Sequence, residues 1–150
     1  MFILGQVGSG VYQLLLILHL VSVLVAFAPA VVHPLIAGRL AKDDQGVRLF
    51  SLAASANTRT VHLPALLAVG LLGFALVGVS DRDYRFTDPW IAISALLWLV
   101  IAGVISAMVL PGERGMASGE AGAESKVRAG GGIATLLLIV VLCLMVVKPG

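Results

Sequence analysis

Three histidines, His19, His33 and His62, are the side chains of this sequence whose type and placement could do chemistry inside an apolar chain. His19 and His33 are 14 residues apart. At 100° per residue they fall within ~40° of each other on a helix, and ~21 Å apart along its axis. That is the spacing by which one helix supplies ligands to two stacked b-type haems. Two bis-histidine haems need four histidines and the chain has 3. A single haem b, held by His33 and His62 or by His19 with an exogenous ligand, is therefore the largest cofactor the residues allow. An antiparallel helix pair would bring His33 and His62 to similar depth, where facing imidazoles can ligate a haem iron axially or share a transition metal. Each also has a plainer reading. His33 and His62 can sit as polar residues at the headgroups. His19, which is deeper, can hydrogen-bond to Ser22, Gln13, Ser94 or a backbone carbonyl as interhelical glue.

Little else in the chain carries chemistry. Gly5, Gly8 and Gly10 have the flavour of a dinucleotide motif but follow no strand. There is no phosphate loop, CxxC or HExxH, and no metal cluster or catalytic set is expected. The apolar runs contain no Asp, Glu, Lys or Arg, which argues against an ion-coupled transporter. Cys143 is single and lies in an apolar run, so it can make no internal disulfide. Asp81, Asp83 and Asp88 alternate with Arg82 and Arg85 as a solvated loop would. Tyr12 and Gln13 read as interfacial, Trp98 as helix packing, and Asn57-Thr58-Arg59 as a helix cap and anchor.

The elements that must position the histidines follow from composition. Of 150 residues, 59% are apolar and 12% charged, with mean hydropathy +1.05. Soluble domains have about 45–50% and 25%. The net charge of +2 is too balanced and scattered for a nucleic-acid partner. A spanning helix needs about 20 apolar residues. Four runs qualify, at about 11–37, 60–79, 89–110 and 129–147. Asp88-Pro89 reads as an N-cap with proline at the first helical position. Pro111-Gly112 and Lys148-Pro149-Gly150 read as stops. Pro29 and Pro34 should kink the first helix or end it early. Ala26-Phe27-Ala28 resembles a cleavage site, but no basic segment precedes it and the apolar run continues, so the first run is expected to stay as a span. Gly70, Gly73 and Gly78 in the second run, and Gly103 with Ala107 in the third, read as small residues for close helix packing.

Basic residues give the orientation. The first and third loops carry Arg39, Lys42, Arg48, Arg59, Arg114, Lys126 and Arg128. The second loop and the C-terminal tail carry Arg82, Arg85 and Lys148. The excess places loops one and three in the cytoplasm and both termini outside. The segment from Asp43 to Asn57 reads either as an interfacial helix or as a continuation into the second span. The Gly- and Ser-rich third loop reads as a flexible connector.

The stretch Leu14-Leu15-Leu16-Ile17-Leu18-His19-Leu20 resembles the first span of a broad bacterial group of four-span membrane proteins. The group includes the copper-resistance D-like domain, the HemJ-type protoporphyrinogen oxidases and several uncharacterised predicted integral membrane families of about this length. The overall plan is most similar to the last of these. The resemblance implies the four-span fold and a haem-linked role for His19. Neither enzymatic activity is implied. Residues 89–110 lack the lysine that HemJ-type proteins place in the third helix, and Val25-Ala26-Phe27-Ala28-Pro29 replaces the Trp-x-Gly-Gly pattern of the copper-resistance proteins.

The expectation is an all-α, single-domain, up-and-down bundle of four transmembrane helices in a bacterial plasma membrane. Its partners are the lipid bilayer and either a second copy or the subunits of a membrane complex. Three roles are carried forward: a non-catalytic accessory membrane protein, a haem-binding redox protein, and a small-molecule or ion permeation pathway.

Overall fold

The computed structural model describes residue 7 and residues 9–40, 42–81 and 83–149. Gly5, Gly8 and Arg82 of the sequence reading lie outside the described residues. Four helices are long and apolar enough to cross a membrane: α1 (Gly10–Leu40), α2 (Asp44–Gly78), α3 (Pro89–Ser118) and α4 (Ala123–Val147). Among the described residues there is no strand. The chain is an all-helical integral membrane protein of four apolar helices. Between 6% and 17% of each helix's apolar window is buried, so most apolar side chains face outward, as lipid rather than water requires.

Each helix sends one residue to the centre: Ala26, Leu66, Ile101 and Ala134, with Phe27, Trp98 and Leu137 packed around them. α1 lies along α2 and α3 along α4. α2 and α3 meet chiefly at the end that carries the α1–α2 and α3–α4 connections, called here the basic end. There Ser51, Ala54, Ser55 and Thr58 of α2 are buried at helical spacing, small enough for the two backbones to approach.

The helices at the basic end outrun the apolar runs from which the sequence reading placed them. α2 starts at Asp44, not near residue 60, with the Asp43 carboxylate accepting from the Gly46 N–H at 3.0 Å as its N-cap. The segment after Asp43 is thus a continuation of the span. Asn57 and Thr58 lie within the helix and cap nothing. Pro111-Gly112 does not end α3, which runs on to Ser118. The expected flexible third loop is a tight turn at residues 119–122. Gly119 at φ +79° closes α3 in a Schellman motif, with the Glu120 N–H on the Gly115 carbonyl at 2.7 Å and the Gly119 N–H on Met116 at 3.2 Å. α4 consequently begins at Ala123, ahead of the expected 129. Pro29 and Pro34 do not end α1, which continues to Leu40. Pro89 opens α3 as expected. The Asp88 carboxylate, however, accepts from the Arg85 N–H at 2.8 Å instead of capping the helix.

Two π-turns explain how proline is carried inside α2 and α3. They span Thr58–His62 and Ile105–Val109, and each ends two residues before a proline, Pro64 or Pro111. A proline ring collides with the carbonyl four residues back and brings no N–H to it. In both helices the residue before the proline instead donates five residues back: the Leu63 N–H to Thr58 and the Leu110 N–H to Ile105. The wider turn lets the helix pass the proline, and such turns recur at functional sites.

Candidate functional site

The basic end gathers His33, His62, Phe50 and Glu113. His33 comes from α1, and His62 closes the π-turn of α2. Their ring centroids are 6.0 Å apart at 59°. The Phe50 ring stands nearly perpendicular to His33, with centroids 5.3 Å apart. The Thr58 hydroxyl oxygen is 3.5 Å from His62 Nδ1, one helical turn back. The structure therefore brings together the two histidines that the sequence placed at similar depth.

Glu113 is the member the sequence reading missed. It reaches the cluster because α3 continues past Pro111. The apolar run at 89–110 holds no carboxylate, but the helix is longer than that run and its extension carries Glu113. Glu113 is 2% exposed, and neither carboxylate oxygen has a hydrogen-bond partner. Its Oε1 approaches His33 Nδ1 to 3.4 Å, an ion-pair approach without hydrogen-bond geometry. Gly112 and Gly115 press this part of α3 against α4 and the turn before it. A Cβ at Gly112 would stand 2.7 Å from Val127, and one at Gly115 2.9 Å from the Ala123 methyl. A signal was present in the sequence. Val109, Gly112, Glu113 and Met116 continue the helical repeat across the proline.

An isolated buried carboxylate is costly unless it is neutralised or paired. The His33 imidazole is the group, among the described residues, within ion-pair distance of Glu113. Among the described residues, no group of three or more His, Cys, Asp or Glu is arranged to hold a metal ion. A haem iron would need only the two imidazoles. His33 and His62 are the two side chains that would hold such an iron, and their ring centroids are 6.0 Å apart.

His19 is not part of this cluster. It is 6% exposed, and its Nδ1 lies 3.0 Å from the Val69 carbonyl oxygen of α2. A carbonyl only accepts, so Nδ1 carries the proton and His19 donates. Of the partners weighed from sequence, this is the backbone carbonyl. Ser94 is buried with no partner for its hydroxyl. Trp98 makes the matching bond from the other side, its indole N–H on the Leu66 carbonyl at 2.8 Å. Each carbonyl has a glycine four residues on. A Cβ at Gly70 would fall 2.3 Å from the Trp98 ring, and one at Gly73 3.4 Å from His19. These two glycines are notches through which side-chain donors reach the backbone of α2. Gly78 and Gly103, read from sequence as packing residues too, have nothing within 4 Å of the corresponding position.

At the opposite end, the Lys148 ammonium donates to the Tyr84 hydroxyl at 2.7 Å and lies 5.7 Å from the Trp90 ring centre. This ties the end of α4 to the α2–α3 loop. Cys143 is exposed on the outside of the bundle. No family model, curated protein or solved structure matches the chain.

Proposed function

We propose that this chain is a non-enzymatic accessory protein of a bacterial plasma membrane, and that its working part is a proton-holding cluster, His33–Glu113–His62, at the cytoplasmic ends of its helices. The supporting observation is Glu113, buried without a hydrogen-bond partner and 3.4 Å from His33. The positive-inside count places this end toward the cytoplasm. The cluster joins α1, α2 and α3, so gain or loss of its proton alters how three helices pack. A membrane complex could read such a change through a subunit with no chemistry of its own.

The test is proton counting on the purified protein in weakly buffered detergent between pH 8 and 5. Glu113 and His33 share one proton on this reading. Glu113→Gln and His33→Gln each leave one group to take the proton and should change uptake by less than one proton per chain, and the double variant should lose about one. A loss of one proton in each single variant that adds to two in the double, or wild-type uptake in the double variant, would refute it.

The juxtaposition of two imidazoles supports a second reading, in which His33 and His62 would hold one haem b. It predicts a haem signal in the reduced-minus-oxidised spectrum that disappears in His33→Ala and His62→Ala and survives in His19→Ala. A flat spectrum from well-folded, haem-supplemented protein removes it.

A further inference from the structure

Beside the histidine cluster, on the outer side of the α2–α3 contact, lies an open groove of about 530 Å³ lined by Leu52, Ser55, Ala56, Arg59, Thr60 and Arg114. Arg59 stands in the π-turn of α2, and Arg114 follows Glu113 on α3. The cations on α4 are spoken for: Lys126 pairs with Glu120 at 3.2 Å, and Arg128 pairs with Glu124. Among the described residues, neither Arg59 nor Arg114 has a carboxylate within ion-pair distance. The groove's hydroxyl hydrogens are used locally, Ser55 on the Leu52 carbonyl at 2.9 Å and Thr60 on the Ala56 carbonyl at 2.8 Å. The donors left facing the groove are the two guanidiniums, whose planar forks suit phosphate oxygens. The apolar wall has Leu52, 61% exposed, and Ala56.

We infer that this groove is a binding site for a phosphate group, and that the phosphate is the headgroup of an anionic phospholipid. A free phosphate would satisfy the guanidiniums but would leave Leu52 facing water. A lipid satisfies both, because its phosphate lies at the depth where the apolar part of the helix gives way to charge, and its acyl chain can lie along the same face. Basic pockets between helices at the cytoplasmic surface bind anionic headgroups in this manner. The site shares no residue with the histidine cluster and stands whether or not that cluster holds a proton.

The test uses the full chain in a mild zwitterionic detergent, with phosphatidylglycerol, phosphatidylcholine or inorganic phosphate added, read by native mass spectrometry and by the thermal unfolding midpoint. Phosphatidylglycerol should be retained in preference to phosphatidylcholine. Arg59→Gln and Arg114→Gln should each weaken retention about fivefold, and the double variant should bring it to the phosphatidylcholine level. Arg128→Gln, whose guanidinium is paired elsewhere, should retain the lipid as the wild type does. Equal retention of the two lipids, or wild-type retention by the double variant, overturns the site. Protection by inorganic phosphate with no preference for the anionic lipid overturns the lipid assignment and gives the same arginines to a free phosphate.

Discussion

Replacing Gly70 by alanine tests whether the glycines of α2 serve as notches for side-chain donors. The added methyl carbon would lie 2.3 Å from Trp98 Cζ2 and 2.4 Å from Cε2, about 1.1 Å inside the near edge of ordinary contact. The indole cannot retreat and keep its 2.8 Å bond to the Leu66 carbonyl. Overpacking of this kind costs about 1–3 kcal/mol. Loss of an interhelical hydrogen bond in a membrane protein adds about 0.6 kcal/mol. Alanine in a helix returns about 0.5–1 kcal/mol relative to glycine. The net expectation is destabilisation by about 2 kcal/mol. Gly103→Ala, with nothing within 4 Å of the new methyl, should be neutral or stabilising. Reversible SDS titration in mixed micelles, followed by far-UV circular dichroism, measures both. The decisive comparison adds Trp98→Leu, which removes the obstructing ring. Gly70→Ala should then cost at least 1 kcal/mol less in the Trp98→Leu background than alone, since residues in contact are not additive. If Gly70→Ala matches Gly103→Ala, or if its cost is the same with and without the indole, the notch argument is wrong.

The other expectations follow from the same geometry. His19→Phe keeps the volume but loses the bond to Val69, so the unfolding free energy should fall by about 0.6–1.7 kcal/mol in the same titration. Glu113→Met replaces a buried carboxylate that has no hydrogen-bond partner with an apolar chain of similar size. With His33→Leu added, so that both members of the pair are replaced, the unfolding midpoint should equal or exceed the wild type while proton uptake falls, because apolar replacement of a whole buried pair is commonly neutral or stabilising. Gly119→Ala forces a Cβ into φ +79°, with Arg48 Nη2 3.0 Å away. It should cost about 1–2 kcal/mol, whereas Gly131→Ala, in open space within α4, should not destabilise.

Composition and hydropathy alone determined that the chain is an all-helical membrane protein with four spans, because lipid leaves a backbone segment few options and the apolar runs are long. They also placed His33 and His62 at matching depth, since an antiparallel pair fixes depth by counting residues. They could not find the ends of α2, α3 and α4 at the basic side. Those ends are polar, and they are helical because they pack on one another: Ser51, Ala54, Ser55 and Thr58 form the buried face that α2 presents there. Pro111 looked like a stop because the sequence does not show that a π-turn can carry a helix past a proline. Glu113 was hidden by that single misreading, and with it the carboxylate of the cluster. The choice of a Val69 carbonyl for His19 was equally out of reach. Hydropathy fixes how deep a residue sits, but the rotation of each helix is set by packing against its neighbours, and rotation decides which groups meet.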